Sequence, residues 1–213
     1  MLAINIIKVA KENAPNNGGT NMQVIQLEND IVLLRPFKTA DIEQALYAAN
    51  DPVIWTYLSS DLSTTDAMST FIKNAIHQYE SGGDYRFAII DKKSRQIVGS
   101  TSFMDISEVH KRVEIGWTWY NPSVWRTAIN SNCKYLLLSY CFEVWGMHRV
   151  QIKTDHENIR SQKAIERLGA TKEGVLRNHM IRKDGTQRHT VMYSITNEEW
   201  PTVKEKFGRL LQT

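Results

Sequence analysis

Residues 113–144 read as a strand, a short loop and a long helix, and this stretch constrains the fold more than any other part of the chain. Its first part, residues 112–120, is dense in β-branched and aromatic residues, which predicts a strand. The glycine of that strand, Gly116, is more typical of a bulge or a close backbone approach than of an ordinary ladder position. The apolar residues that follow Pro122 recur at three- and four-residue steps: Ile129, Cys133, Leu136, Leu137, Tyr140 and Val144. This spacing predicts a helix that packs on a sheet and ends at Gly146 with a left-handed cap.

The predicted strand leads directly into the amino terminus of this helix. The first backbone N–H groups of a helix have no internal partner and carry the positive end of the helix dipole, so they bind phosphate groups. The sequence therefore predicts a nucleotide-like ligand at the start of the helix, near Thr127.

Composition and charge narrow the class of protein. The chain has 213 residues, 23% of them charged, and a formal net charge of +3 without runs of like charge, so charge alone indicates neither nucleic acid nor a membrane as partner. We find no targeting signal and no apolar run near the roughly 20 residues that span a bilayer. The cysteines, Cys133 and Cys141, lie eight residues apart on one predicted helix, too far apart for a disulfide. Reduced thiols favour a cytoplasmic protein.

The remaining elements follow from turn signals and periodicity. Residues 13–20 have linker chemistry, which separates an N-terminal segment (1–22) from a single domain (23–213). The further predicted elements, in chain order, are a hairpin (23–27 and 31–36), helices capped by Thr39 and Ser63, strands at 85–91, 96–105 and 147–154, a short helix within 155–170, a hairpin (174–182 and 188–195) and a helix from Asn197. The helix between strands 112–120 and 147–154 makes them the one parallel pair we predict.

Two motifs resemble a known family. Glu114-Ile-Gly-Trp117 followed by Pro122 resembles motif A of the GNAT acyl-CoA N-acyltransferases, in particular the branch of ribosomal-protein N-terminal acetyltransferases. Asn158-x-x-Ser161, with the Leu-Gly-Ala and Glu-Gly-Val-Leu-Arg segments that follow it, resembles motif B. The resemblance covers about residues 30–200. It implies an α+β (mixed α/β) GNAT-like fold, with a mostly antiparallel twisted sheet of about seven strands, one splayed parallel pair and flanking helices.

The phosphate loop departs from the family pattern. Trp125 stands where the family has Gln or Arg, Arg126 where it often has Gly, Ala128 replaces the central Gly, and Asn130 replaces the last Gly or Ala. Backbone N–H donors survive such changes, and the Arg126 guanidinium adds a charge-assisted phosphate contact of about 1.5–3 kcal/mol. The resemblance thus implies that coenzyme A is held by a set of residues at the loop and the helix start: Arg126, Thr127, Ala128, Ile129 and Asn130.

The resemblance also implies contacts to the rest of the cofactor. The backbone edges of residues 117–120, Trp119 and Tyr120 among them, would hydrogen-bond the pantetheine where the sheet splays. Asn158 would touch the cofactor while it caps its helix. The alternative is that Asn158 is only an N-cap and that Ser161 hydrogen-bonds locally.

Amine acylation requires a base and an acid. Glu114 resembles the family's general base, which acts through water if burial raises its pKa. The alternative is an exposed carboxylate paired with Arg112 or with a lysine of a neighbouring strand. Many relatives protonate the leaving thiolate with a Tyr of the helix in motif B, which here has none; Ser161 is the hydroxyl at a suitable place.

The histidines suggest no metal site. His156 lies between Asp155 and Glu157, and three consecutive residues cannot converge on one ion. His189 stands where this branch usually has Asp, and His179 either pairs with it across the hairpin or is solvated. We predict no metal.

Two functions remain open at this point. The first is an acetyl-CoA-dependent N-acetyltransferase that transfers the acetyl group directly to a primary amine, either a protein N-terminus or a small molecule. An α-amino group of pKa about 8 is far more often neutral near pH 7.5 than a lysine of pKa about 10.4 and suits a modest base better. The second is a catalytically idle acyl-CoA sensor or interaction module. The predicted partners are acetyl-CoA and an amine acceptor, without nucleic acid or membrane, and a homodimer is left open.

Overall fold

The computed structural model describes residues 25–211, and within them eight strands and five α-helices are formed. The strands are β1 (Leu27–Glu28), β2 (Val32–Pro36), β3 (Tyr85–Asp91), β4 (Gln96–Ser107), β5 (Arg112–Tyr120), β6 (Arg149–Asp155), β7 (Thr171–Ile181) and β8 (Gln187–Thr196). The helices are α1 (Ile42–Ala48), α2 (Thr65–Glu80), α3 (Ala128–Ser139), α4 (Ile159–Arg167) and α5 (Trp200–Leu210). Short 3-10 turns occupy Thr39–Asp41, Pro52–Trp55 and Pro122–Val124.

All eight strands form one sheet in the order β1-β2-β3-β4-β5-β6-β8-β7. Every pair is antiparallel except β5 with β6, which are joined through α3. The predicted fold class and the single parallel pair are confirmed, with one strand more than the seven expected.

Helices cover both faces of the sheet, because side chains alternate along each strand. On β3, Ala88 faces a core with α1 and α2, whereas Phe87 and Ile89 face a second core with α3 and α5. The second core is the larger one and continues through Val113 and Ile115 of β5.

Helix α3 is buried on all sides rather than along one stripe. Every residue from Ser131 to Ser139 is buried, Lys134 included, because α3 lies between the sheet and α5. The helix then widens into a π-helical turn, Tyr140–Val144, and Gly146 adopts a left-handed φ of 65° as predicted. Val144 was predicted to belong to the buried stripe, but it is 52% exposed because the wider turn shifts the helical phase.

Several predicted element boundaries were wrong by one to three residues. Thr64 rather than Ser63 caps α2, since its hydroxyl accepts the Ala67 N–H at 3.3 Å. Thr39 begins a 3-10 turn instead of capping a helix, and the Asp41 carboxylate takes the capping role by accepting the Lys38 N–H at 2.7 Å. Helix α5 begins at Trp200, three residues after the predicted Asn197.

The predicted N-terminal segment (1–22) and the first two residues of the predicted strand 23–27 lie outside the described residues. The division into this segment and one domain stays a prediction. None of the helices within residues 25–211 combines the length and the apolar character that crossing a membrane requires.

Packing between α5 and α3 gives a test of the fold. Phe207 is 1% exposed and its ring lies 5.5 Å from that of Tyr135. We expect Phe207→Ala to lower the free energy of unfolding by about 3–5 kcal/mol, because it removes a buried ring and leaves a cavity. Urea unfolding measures this, with the exposed neighbour Lys206→Ala as a control that changes stability by less than about 0.5 kcal/mol. Equal effects of the two changes would contradict the described docking of α5.

Candidate active site

A β-bulge interrupts β5 beside Gly116. Ser102 and Ser100 of β4 pair with Gly116 and Trp119, so β5 places one extra residue between these pairs. Trp117 takes up the extra length in a left-handed conformation with φ 50°. A Cβ at Gly116 would come within 2.6 Å of Met104 Sδ and 3.0 Å of Glu114 Oε1. The predicted bulge and close approach are both present, although the strained residue is Trp117 rather than the glycine.

The parallel pairing of β5 and β6 stops just before this bulge. Three pairs are formed, the last between Glu114 and Gln151. Beyond it β6 continues along β8, whereas residues 115–120 of β5 have no partner on the β6 side among the strands of residues 25–211. The sheet therefore opens into a splayed cleft whose β5 edge offers unpaired backbone groups.

The loop after β5 leads to the start of α3 at the mouth of this cleft. Thr127 is the N-cap, and its hydroxyl accepts the Ile129 N–H at 3.3 Å. Arg126, where the family often has glycine, has a left-handed φ of 62°. Arg126, Thr127 and Ala128 are exposed, so the first amide N–H groups of the helix are open to an anion. The helix start is thus open without the glycines, and its contact with phosphate stays a prediction.

A second arginine, Arg160, faces the same loop and is not among the predicted site residues. The Arg160 guanidinium carbon lies 3.6 Å from the centroid of the Trp125 ring, whose indole N–H donates to the Tyr120 carbonyl at 3.0 Å. Burial lowers the pKa of Arg160, the Tyr57 hydroxyl opposes this shift, and the positive charge of Arg126 lowers the pKa further. Two guanidinium groups thus approach each other at a helix amino terminus, which is a favourable setting for a diphosphate.

The position of Arg160 in the sequence carries a signal of anion binding. It lies in the first turn of α4, where the helix dipole disfavours a cation. A basic side chain at such a position indicates an anion in front of the helix.

Glu114 is buried, not exposed as the alternative interpretation required. It is 1% exposed and shares with Gly116 the face of β5 opposite Val113 and Ile115. Its Oε2 lies 3.0 Å from Lys153 Nζ and accepts a hydrogen bond from the Gln151 amide at 3.1 Å. Arg112, the other partner considered, forms an ion pair with Asp105 instead. The carboxylate is thus held at the cleft by a lysine of the neighbouring strand.

Asn158 and Ser161 adopt the local arrangement that the alternative interpretation predicted. The Asn158 side-chain oxygen accepts the Ser161 N–H at 3.0 Å and caps α4. This hydrogen bond leaves the Asn158 amide nitrogen and the Ser161 hydroxyl for other partners. Their roles toward a cofactor stay predictions.

A buried lysine, also missed from the sequence, lies beneath the bulge. Lys134 of α3 is 5% exposed, and its ammonium donates a 3.0 Å hydrogen bond to the Thr118 hydroxyl. That hydroxyl also lies 2.8 Å from the Thr101 hydroxyl. Burial lowers the pKa of Lys134 to about 8, and the neighbouring Cys133 opposes this shift. The signal for its burial was the apolar side chains three, four and seven residues later, Leu137, Leu138 and Cys141.

An ion pair occupies the place where His156, Asp155 and Glu157 suggested a metal. Two nitrogens of the Arg182 guanidinium donate hydrogen bonds to the two Asp155 carboxylate oxygens, at 2.8 Å and 3.0 Å. Burial alone would raise the pKa of Asp155, but hydrogen bonds from Arg182 and the Glu157 amide lower it below its usual range. Within residues 25–211, His, Cys, Asp and Glu side chains form no group of three or more suited to a metal ion.

His179 and His189 do not pair with each other. The Asn178 N–H donates to His189 Nδ1 at 2.9 Å, and His179 Nδ1 lies 3.1 Å from the Thr190 hydroxyl. Both rings line a surface cavity of about 910 Å³ on the β7–β8 hairpin, together with Val175, Leu176, Arg177 and Asn178. In the sheet, β8 and β6 lie between β7 and β5.

The buried lysine gives a test of the site's electrostatics. Because its pKa is lower in the folded than in the unfolded chain, its ammonium costs roughly 3 kcal/mol of folding free energy below pH 8. This cost disappears as the pH rises from 8 toward the ordinary lysine value. We expect Lys134→Met to be more stable than the parent chain at pH 7, with a difference that shrinks above pH 8 in urea unfolding. Lys73→Met, an exposed control on α2, should show no such pH dependence. A stability difference for Lys134→Met that stays constant with pH would contradict a buried, destabilised ammonium.

The chain is similar to known proteins in both sequence and fold. A family model described as an acetyltransferase (GNAT) domain matches residues 32–171. An uncharacterized N-acetyltransferase of Bacillus subtilis (strain 168), YoaA, is 29% identical over 171 residues, which is 79% of this chain and 95% of YoaA. The ribosomal protein uS5-alanine N-acetyltransferase of Escherichia coli (strain K12) is 22% identical over 127 residues, covering 57% of this chain and 62% of that enzyme.

A solved structure shares the fold. Mycobacterium smegmatis RimJ, determined in complex with CoA-disulfide, superposes with a TM-score of 0.73 at 19% identity, covering 84% of this chain and 88% of RimJ.

The family match confirms the resemblance that the two motifs carried. It spans more than half of the chain and includes the splayed strands, the phosphate loop and α4. The protein therefore belongs to the GNAT acetyltransferase family and is an acyltransferase.

Proposed function

We propose that this chain transfers an acetyl group from acetyl-CoA directly to a primary amine, as an N-acetyltransferase of the ribosomal-protein type. The observation that carries the proposal is the convergence of three features on one cleft. These are the bulge at Gly116, the buried Glu114 and the arginine-flanked start of α3. The bulge would receive the acyl group, Glu114 would act on the amine, and the start of α3 would bind the diphosphate.

The start of α3 fits the diphosphate of coenzyme A. The amides of Ala128 and Asn130 at the helix start supply donors, whereas the Ile129 N–H is already bonded to the Thr127 hydroxyl. Arg126 and Arg160 supply positive charge. The backbone edge of Trp119 and Tyr120 is free of a strand partner on the β6 side and would take the pantetheine. Asn158 caps α4, and its amide nitrogen would remain free to contact the cofactor. RimJ, which shares the fold, was solved in complex with CoA-disulfide, and this supports coenzyme A as the ligand class.

Glu114 suits the role of general base toward the acceptor amine. Its Oε2 is held by Lys153 and Gln151, which leaves Oε1 to receive a proton, directly or through a water molecule. A positioned carboxylate of this kind serves an α-amino group of pKa about 8 better than a lysine side chain, since more of the α-amine is already neutral. We therefore favour protein N-termini or weakly basic small amines as acceptors.

Direct transfer requires no nucleophile on the protein. Burial raises the pKa of Cys133 to about 12, and burial also raises that of Cys141 well above the usual value. Neither thiol is available as a thiolate near neutral pH. Both are free and buried, which supports action in the cytoplasm.

Removal of the proposed base tests the chemistry. We expect Glu114→Gln to lower kcat by roughly a hundredfold to ten-thousandfold, the usual contribution of a positioned acid or base. Thiol release from acetyl-CoA with peptide and small-amine acceptors measures this. Glu173→Gln is the matched control, because Glu173 also pairs with a basic side chain of β6, Arg149, but lies on β7 away from the cleft. A parent chain that binds CoA but acetylates none of the acceptors would indicate the idle sensor instead.

The diphosphate site can be tested separately. We expect Arg160→Ala and Arg126→Ala each to weaken CoA binding about tenfold to a hundredfold, from the loss of one charge-assisted contact. Calorimetry with CoA and with pantetheine, which lacks the diphosphate, distinguishes a loss of diphosphate contacts from a loss of pantetheine contacts. Pantetheine affinity should stay unchanged, as should CoA affinity in Arg167→Ala at the far end of α4. Equal losses for both ligands would contradict a diphosphate role for these arginines.

A further inference from the structure

Lys134 is a buried cation that the chemistry above does not use. Its ammonium has one hydrogen-bond partner among the described residues, the Thr118 hydroxyl at 3.0 Å, and no carboxylate there forms an ion pair with it. Burial of an ammonium without a counter-ion is costly, and an apolar side chain would fill the same space at lower cost. Retention of a lysine here calls for a role that needs its proton or its charge.

The position of this ammonium is defined by the bulge. Thr118 lies in the part of β5 that has no partner on the β6 side, and its hydroxyl also donates to the Gly116 carbonyl at 3.4 Å. Lys134 reaches β5 from the α3 side of the sheet, whereas Glu114 lies on the opposite face. The two ionisable groups therefore flank the bulge from opposite sides of the splay.

The geometry points to Lys134 as the group that protonates the departing coenzyme A thiolate, in place of the tyrosine that many relatives use. This inference rests on the proposed function. An acceptor nitrogen entering from the Glu114 side forms its bond to the thioester carbonyl carbon while the carbon–sulfur bond breaks. Glu114 takes the proton that the nitrogen loses, and the sulfur takes a proton from the Lys134 ammonium. The products are the amide and the neutral thiol, and Lys134 recovers its proton from solvent once the thiol leaves.

The acidity of Lys134 suits this transfer. Burial lowers its pKa to about 8, near that of an ordinary thiol at about 8.5, so the proton can pass in either direction at little cost. The titratable groups that face it are few. Cys133 of its own helix acts on it directly, and Tyr120 of β5 contacts Cys133; the pKa values of both are raised by burial, so both stay neutral near pH 8.

Three variants separate this role from the one predicted for Ser161. We expect Lys134→Met to lower kcat about a hundredfold or more, the usual loss of a general acid, while CoA affinity stays within a few-fold of the parent value. Lys134→Arg keeps the positive charge but does not release its proton near neutral pH, and it should be equally slow. If Ser161 were the acid instead, Ser161→Ala would show this loss and Lys134→Met would not. Lys73→Met controls for the substitution itself.

The pH profile provides a readout that a structural role would not move. In the parent chain, kcat/KM for acetyl-CoA at saturating acceptor should fall as the pH rises through about 8, because Lys134 loses its proton. This alkaline limb should be absent in Lys134→Met. Thermal unfolding shows whether each variant is folded, and if Lys134→Arg is not, the profile of Lys134→Met decides.

The outcomes distinguish the two proposals. An inactive parent chain overturns the proposed function. An active parent chain with a Lys134→Met variant of similar kcat, or with an unchanged alkaline limb, overturns only the role of Lys134. Near-normal activity of Lys134→Arg likewise overturns proton donation, because the charge alone then suffices.

Discussion

Hydrogen bonds between β5 and β6 join only three residue pairs, and the candidate site depends on their ending there. Two strands joined through a helix ordinarily stay paired along their shared length, because unpaired backbone groups are costly to bury. Here β6 turns to β8 and leaves the second half of β5 without a neighbour on that side. The bulge at Trp117 increases the divergence, since an extra residue bends and twists the strand that carries it. A ligand with amide groups of its own can replace the missing strand.

Charges around this opening are distributed unevenly between the two faces of the sheet. On one face, Glu114 of β5 lies 3.0 Å from a cation, Lys153 of β6. Further along β6, Asp155 forms an ion pair with Arg182. On the other face Lys134 has hydroxyl groups around it instead of a carboxylate. A buried pair is roughly neutral in its effect on stability, whereas an isolated charge destabilises the fold. The stability that the fold gives up at Lys134 is therefore concentrated beside the atoms where we place the chemistry.

Alternation and turn signals in the sequence were sufficient to predict the strands whose limits they set. Strands β3 and β5 were located to the residue, because alternation and turn signals bound them on both sides. The cap of α2 was misplaced by one position, since three consecutive hydroxyl residues, Ser63 to Thr65, offer nearly equal caps. Motif resemblance singled out Glu114 and the loop before α3 as candidate site residues, but not the neighbours of either. Arg160 and Lys134 acquire their roles only through Trp125 and Thr118, which lie 35 and 16 residues away in sequence. Contacts of this range depend on tertiary packing, which periodicity within a single element does not encode.

The indole of Trp125 connects the end of β5 with helix α4. Its N–H is fixed to the end of β5, and its face supports a guanidinium carried by α4. If the gap between β5 and β6 widened, the Trp125 ring and the Arg160 guanidinium would move apart. If the gap narrowed, they would be pressed together. The width of the gap between β5 and β6 is thus linked to the position of the Arg160 charge, so a ligand that engaged Arg160 would also influence how far the two strands stand apart.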